Sequence, residues 1–160
     1  MEELMLGAYK MRVDISRTRR YYAGVPSPWV TCDCAGCRNF MQAVRTLPQA
    51  VTDVFHALGL DPRQPAESCH YAGTADSVFS SAWYHVCGEL VTGDPAPGSA
   101  ERYGAPWELA DGISVSAASD CDLLPDDFPR PCFQIEFWFD RLPWVLQEPN
   151  PYCDRQENDL

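Results

Sequence analysis

Three cysteines within six residues are the clearest candidate for chemistry in this sequence. They stand in residues 31–40, TCDCAGCRNF, with the spacing Cys-x-Cys-x-x-Cys, at Cys32, Cys34 and Cys37. Thiolates two and three residues apart on a turn can present sulfur at about 2.3 Å to one zinc ion, at three corners of a tetrahedron. Gly36 is expected to supply a positive-φ turn that lets the sulfurs converge. The spacing therefore predicts a structural zinc site that needs a fourth donor from elsewhere in the fold.

The fourth donor has several candidates in the sequence, namely Cys69, His70, His85 and Cys87. The last two are two residues apart in a predicted central strand, where the period of two places both on one face. We therefore rank these two above the other pair. The predicted metal ligands are Cys32, Cys34, Cys37, Cys87 and His85.

Other uses of the thiols stay open. Cys34 and Cys37 form a Cys-x-x-Cys pair, which a thiol-dependent oxidoreductase could use, although the βαβ setting of thioredoxin-like sites is missing. Simple reduced thiols are a second alternative, and an iron–sulfur cluster would need further cysteines at close spacing. A hydrolase built on Cys87, His85 and Glu89 is disfavoured, because alternate residues of one strand lie about 6–7 Å apart, too far for direct proton transfer from nucleophile to base. With no phosphate-binding or hydrolase motif, the sequence favours a noncatalytic protein.

Charge narrows the class of partner. The formal net charge is -11, and residues 1–46 carry seven basic and four acidic side chains against five and nineteen in the remainder. A surface this acidic repels the phosphate backbone of nucleic acids. The pattern excludes DNA and RNA as expected ligands and favours a basic protein as partner, of the immunity or regulatory type, because complementary charge speeds association.

Composition and length favour one cytoplasmic domain. A chain of 160 residues with 46% hydrophobic residues can bury a core without disulfides. No apolar run approaches the roughly 18 residues of a membrane span, and the first residues do not read as a signal peptide. The eight cysteines are therefore expected to be mostly reduced thiols in the cytoplasm, and residues 153–160 are expected to fray.

The elements that must position these residues follow from hydrophobic periodicity. Alternation predicts strands over residues 7–15, 67–71, 78–91, 113–119 and 132–140. Helical spacing predicts two short helices, over 38–47 and from Pro48 to a cap at Gly59. The Arg17, Arg19 and Arg20 cluster is interpreted as a solvated turn, and residues 92–112 as a long surface loop. The class is α+β, a mainly antiparallel sheet with the two N-terminal helices on one side. A small-ligand site formed by aromatic residues and the long loop is a further alternative.

Four segments carry a resemblance: TCDCAGCRNF, GLDPRQPAE, SAWYHVCGEL and FQIEFWFDRLPWVLQE. With them the chain resembles an uncharacterised family of small bacterial proteins with a TCxCxxCRN knuckle and a C-terminal LPWVLxE segment. The resemblance covers about 120 residues. It implies a bacterial cytosolic protein with a cysteine knuckle at this position, and it brings no activity, substrate or catalytic residue with it.

Overall fold

The computed structural model describes residues 1–26 and 32–153. Residues 23–31, which Pro26 and Pro28 predict to be an extended loop, fall largely outside these ranges. The tail from 154 onward also lies outside them, while Cys153 lies in a turn. The strands are β1 (Glu2–Leu6), β2 (Tyr9–Val13), β3 (Glu67–Gly73), β4 (Ser77–Thr92), β5 (Trp107–Ala110), β6 (Ile113–Ala118) and β7 (Cys132–Pro143). The helices are α1 (Ile15–Ala23), α2 (Ala35–Ala43) and α3 (Gln49–Leu58), with a 3-10 turn (Val44–Thr46) after α2.

The strands form one antiparallel sheet with β4 at its centre. The order is β1-β2-β4-β7-β6-β5, and β3 pairs with the first half of β4. Every strand pair is antiparallel, which confirms the predicted α+β class with a mainly antiparallel sheet. None of the helices in the described ranges has the length and apolar character needed to cross a bilayer.

Helices pack against one face of this sheet, and a connecting segment packs against the other. On one face Phe55 of α3 stacks on Phe137 with ring centroids 4.1 Å apart, and Phe40 of α2 meets Phe139 edge-on at 6.1 Å. We call this the helical face. On the other face Gln134 donates to the Tyr103 hydroxyl at 2.6 Å, so that a connecting segment covers the sheet there. We call this the loop face. Because opposed residues of antiparallel strands share a face, the register assigns each side chain of β3, β4 and β7 to one or the other.

Helix α1 closes a gap in the ladder of β4. Strand β3 pairs as far as Trp83 and β2 begins at Gly88, so the edge of β4 between them has no strand partner. The Tyr22 hydroxyl donates to the His85 carbonyl at 2.8 Å and accepts from the His85 N–H at 3.2 Å. The Thr18 hydroxyl accepts from the Cys87 N–H at 3.0 Å. Side chains of α1 therefore supply the hydrogen bonds that a strand would otherwise make.

Substitution of Tyr22 with phenylalanine tests this arrangement. The change leaves two buried backbone groups of His85 without their partner, so we expect a loss of about 1–3 kcal/mol in the free energy of unfolding. Chemical denaturation with urea measures it. The matched control is Tyr21→Phe, because the Tyr21 hydroxyl donates its hydrogen bond to the exposed carboxylate of Asp127, at 3.3 Å, and to no buried backbone group of the described residues. An equal loss in both variants would show that the ladder gap is not what Tyr22 stabilises.

Several predictions about elements are confirmed and others are wrong. Helix α3 begins after Pro48 and ends at Gly59, which is left-handed with φ 74°, as expected for a glycine cap. The predicted strands after residue 67 correspond to β3, β4, β6 and β7. The arginine cluster of residues 17–20 lies in α1 rather than in a turn, so the described residues contain three α-helices and not two. Strand β1 was not predicted, and β5 lies within the segment 92–112 that was predicted to be a loop.

Candidate metal centre

The three cysteines surround the start of α2. Cys34 is the N-cap residue, in extended backbone, and its sulfur accepts a hydrogen bond from the Cys37 N–H at 3.4 Å. A side-chain acceptor at this position normally satisfies one of the free N–H groups of the first turn. Here the sulfur takes that role, and the cap turns the chain so that Cys32, Cys34 and Cys37 point to one place.

The thiols are close enough to hold one metal ion. Their sulfur atoms all lie within 4.8 Å of one another, and Cys37 is buried whereas Cys32 and Cys34 are exposed. Tetrahedral zinc with bonds of about 2.3 Å needs sulfurs about 3.8 Å apart. The group therefore has to contract by no more than about 1 Å to bind zinc with three thiolates. It lies at the protein surface, with one wall buried.

The two thiols of the Cys-x-x-Cys pair, Cys34 and Cys37, have pKa values shifted in opposite directions. Burial acts to raise the pKa of Cys34, but the Cys37 N–H and neighbouring thiol and phenol groups donate to its sulfur, and the net pKa is lowered. Burial, with the Cys34 and Cys32 thiols nearby, raises the pKa of Cys37 to about 12. Cys34 is consequently the thiol that ionises first, and Cys37 loses its proton only to a strong competitor such as a metal ion.

Gly36 is essential to this arrangement for a reason that differs from the predicted one. It lies in α2 and is absent from the positive-φ residues, so the expected left-handed turn is wrong. A side chain at Gly36 would meet the His70 ring carbon Cδ2 at 2.5 Å and the Tyr152 hydroxyl at 2.6 Å. The glycine is needed because α2 packs directly against the His70 ring.

We expect Gly36→Ala to weaken metal binding and to destabilise the fold. The added methyl group must displace either α2 or His70, and overpacking of this kind costs about 1–3 kcal/mol. Thermal unfolding with and without added zinc measures both effects. Gly24→Ala is the control, because the nearest atom to its new methyl group is at 3.4 Å and its φ of -85° is ordinary. An unchanged zinc affinity in Gly36→Ala would contradict the packing argument.

His70 is the candidate donor that the fold brings to the cysteines. His70 of β3 stands opposite Ser80 of β4, and Ser80 stands opposite Phe139 of β7. Because Phe139 is on the helical face, the side chain of His70 lies on that face as well, beneath α2. Its Nδ1 lies 2.8 Å from the Ser80 hydroxyl, whereas its Nε2 is buried and has no hydrogen-bond partner among the described residues. Burial lowers the pKa of His70 to about 4, so that the ring is neutral at pH 7. The ring lies outside the group of atoms within 4.8 Å.

The structure does not bring His85 and Cys87 to the three cysteines. Both alternate with Tyr84 and Val86 and lie on the loop face, opposite to α2. The His85 Nε2 lies 2.9 Å from the backbone carbonyl oxygen of Asp122 and donates a hydrogen bond to it. Cys87 stands directly opposite Cys132 of β7.

The alternation along β3 also excludes Cys69 as the fourth donor and leaves its neighbour His70 as the candidate. Cys69 pairs with Ser81, which puts it on the loop face, whereas Ser68 and His70 are on the helical face. The Ser68 hydroxyl lies 3.6 Å from the Cys37 sulfur. The available sequence signal was in β7, where Phe133, Ile135, Phe137 and Phe139 alternate on one face and mark it as the face that the helices must cover.

Comparison with known proteins adds nothing to the geometry: no protein-family model, no curated protein and no solved structure matches the chain.

Proposed function

We propose that this chain is a noncatalytic cytoplasmic protein in which zinc, bound by Cys32, Cys34 and Cys37, stabilises a domain that binds another protein. The observation that supports the metal is the convergence of three sulfur atoms within 4.8 Å around the first turn of α2. Thiolate ligands suit zinc better than they suit magnesium or calcium, which take oxygen donors. The exposure of Cys32 and Cys34 leaves a path by which the ion can enter.

His70 is our choice for the fourth ligand. In the tautomer that carries its proton on Nδ1, the Nδ1–H donates a hydrogen bond to the Ser80 hydroxyl, and the lone pair of Nε2 is available to a metal ion. Histidines that bind metals usually have this second hydrogen bond, which fixes the orientation of the ring. The buried Nε2 otherwise lacks a partner among the described residues. A shift of the ring toward the Cys34–Cys37 turn would complete a Cys3His site.

Such a site would tie three parts of the molecule together. Cys32 lies in the segment before α2, Cys34 and Cys37 belong to the helix start, and His70 belongs to β3. A bound ion would therefore fasten the helix and its preceding segment to the sheet. Structural zinc of this kind contributes directly to folding free energy, and its affinity falls in acid because the thiols must lose protons.

The proposed partner is a basic protein that contacts the acidic connection between β6 and β7. Four exposed acidic residues of this connection are Asp120, Asp122, Asp126 and Asp127. Leu123 stands among them with 66% of its surface exposed. Asp122 is paired with Arg102, and the other three carboxylates form no salt bridge among the described residues. An apolar side chain with carboxylates on both sides of it in the sequence is a suitable contact for a basic surface, with an association rate that falls as salt is added.

Cobalt substitution tests the proposed metal site. Titration of the reduced protein with Co²⁺ is expected to give one equivalent of tetrahedral, thiolate-bound ion, seen as strong visible bands with a sulfur-to-cobalt charge-transfer absorption. Added zinc is expected to abolish the bands. His70→Ala is expected to weaken binding and alter the bands, whereas the loop-face variant Cys69→Ala should leave them unchanged. Spectra of octahedral cobalt without charge transfer would refute the site.

A thiol-dependent oxidoreductase is the second candidate, and the asymmetry of the Cys-x-x-Cys pair favours it. Cys34 is exposed with a lowered pKa, and Cys37 is buried with a raised one, as a nucleophilic and a resolving thiol would be. This function predicts that, as pH rises, Cys34 is alkylated before Cys69, whose pKa is raised by burial. Uniformly slow labelling of the zinc-free protein below pH 7 would remove this candidate.

A further inference from the structure

The structure contains a second candidate binding site, a cavity of about 370 Å³ beside the cysteine group. Six of the residues that line it are Cys32, Cys37, Arg38, Met41, Arg45 and Arg63. We propose that it binds a small organic anion through a carboxylate or phosphate group. This proposal does not rest on zinc, because the arginines are present whether or not the thiols hold a metal ion.

Charge is the first support. The chain has a net charge of -11, yet three of its arginines line this one cavity. Arg38 is neutralised by Glu148 and lies 3.8 Å from Asp33. Within the described ranges neither Arg45 nor Arg63 forms a salt bridge. Asp33 also lines the cavity, so its three arginines, Asp33 and Glu148 together carry one net positive charge, in a protein that is otherwise strongly acidic.

Arg63 gives an independent sign of a missing partner. Its Nε is buried and has no hydrogen-bond partner among the described residues. A buried donor left unsatisfied costs about 1–3 kcal/mol, so native structures rarely keep one without a ligand or water to accept from it. The backbone of Arg63 is held in place, because its N–H donates to Asp61 at 2.9 Å and Gln64 donates to the Asp61 carbonyl at 3.0 Å. The backbone of Arg63 thus lies in a fixed turn after α3, and its side chain lines the cavity from there.

The shape and composition of the cavity define the ligand class. Small-molecule sites usually have volumes of about 300–1,000 Å³, so this one suits a compact ligand. The planar guanidinium pairs with carboxylate or phosphate oxygens through two parallel hydrogen bonds. Met41 and Leu146 add apolar wall, which suits a short hydrocarbon portion. The expected ligand is a small molecule with one or two anionic oxygen groups.

Calorimetric titration of the full chain at low ionic strength tests the proposal, with inorganic phosphate and succinate as separate probes. We expect saturable 1:1 binding of at least one probe, and the tighter of the two identifies the anionic group. Arg45→Gln and Arg63→Gln are expected to weaken binding at least tenfold. Arg141→Gln removes the same charge from an exposed arginine beside Asp111 and should leave binding unchanged.

Two further measurements keep the result interpretable. Arg63→Lys retains the charge without the Nε donor, so it should also weaken binding in a folded protein, as circular dichroism will verify. Zinc stoichiometry, measured on the same variants, should stay at the wild-type value, which separates this site from the cysteine group. Absence of saturable binding for both probes, or an equal loss in Arg141→Gln, would overturn the proposal.

Discussion

Replacement of Cys37 with serine is expected to reduce zinc affinity by about a hundredfold or more, because a thiolate ligand is exchanged for a hydroxyl that zinc binds poorly. Cys37 is the buried member of the group, and its sulfur lies 3.6 Å from the Ser68 hydroxyl. The site then keeps two exposed thiols, which cannot form a closed structural centre. Competition against a chromophoric chelator, under reducing conditions, measures the affinity.

The matched control is Cys69→Ser. Cys69 is half-buried, and it lies on β3 next to His70 but on the opposite face of the sheet. Its replacement should leave zinc affinity within a factor of about two of wild type. If Cys69→Ser and Cys37→Ser were to weaken zinc equally, the binding would have to be general thiol chemistry, and the assignment of the centre to α2 would be lost.

Truncation of Phe55 to alanine is expected to lower the free energy of unfolding by about 3–5 kcal/mol, the range seen for buried aromatic residues. Phe55 is fully buried on α3, stacks on Phe137 at 4.1 Å and meets Tyr84 edge-on at 5.2 Å. Its removal leaves a cavity between the helix and the centre of the sheet. Urea denaturation followed by tryptophan fluorescence gives the value.

The neighbouring residue provides the control for this truncation. His56 is on the same helix and is exposed, so that His56→Ala should change the free energy of unfolding by less than about 0.5 kcal/mol. A loss below 1 kcal/mol in Phe55→Ala would mean that α3 does not pack on the sheet as described. The strand pairing of β4 and β7 would then have to be the main source of stability.

Periodicity predicted the regular, strongly apolar elements, and local chemistry decided the rest. Helix α3 was predictable because Val51, Val54, Phe55 and Leu58 repeat at helical spacing before a glycine cap. Helix α1 was missed because its stripe is short: only Thr18 and Tyr22 are buried in nine residues rich in arginine. Its start had a signal, since Asp14 caps it by accepting from the Arg17 N–H at 3.0 Å.

The edge strand β5 was missed for a different reason. Strand β5 has four residues, all exposed or half-buried, so that no alternation of buried and exposed positions marks it. It is a strand because it pairs with β6 in the folded protein, and that pairing is a tertiary contact that its own sequence does not reveal. A strand whose side chains do not enter the core gives no hydrophobic period, and sequence reasoning then sees a loop.

The cysteine group was predictable from spacing, but its partner depended on long-range geometry. Three thiols within six residues are local, so one cap and one helical turn bring them together. The choice between His70 and His85 depends on which face of the sheet the helices cover, and both residues alternate correctly in their strands. The sheet register decides it, because His70 shares a face with Phe139 and His85 shares one with Gln134.

The most direct test of the central claim is an anomalous difference map, measured at the zinc absorption edge from crystals of the zinc-loaded, reduced protein. We expect one strong peak about 2.3 Å from the sulfur atoms of Cys32, Cys34 and Cys37 and about 2.0–2.1 Å from the Nε2 of His70. Well-ordered cysteines with no peak between them, or two of the three joined in a disulfide, would contradict it.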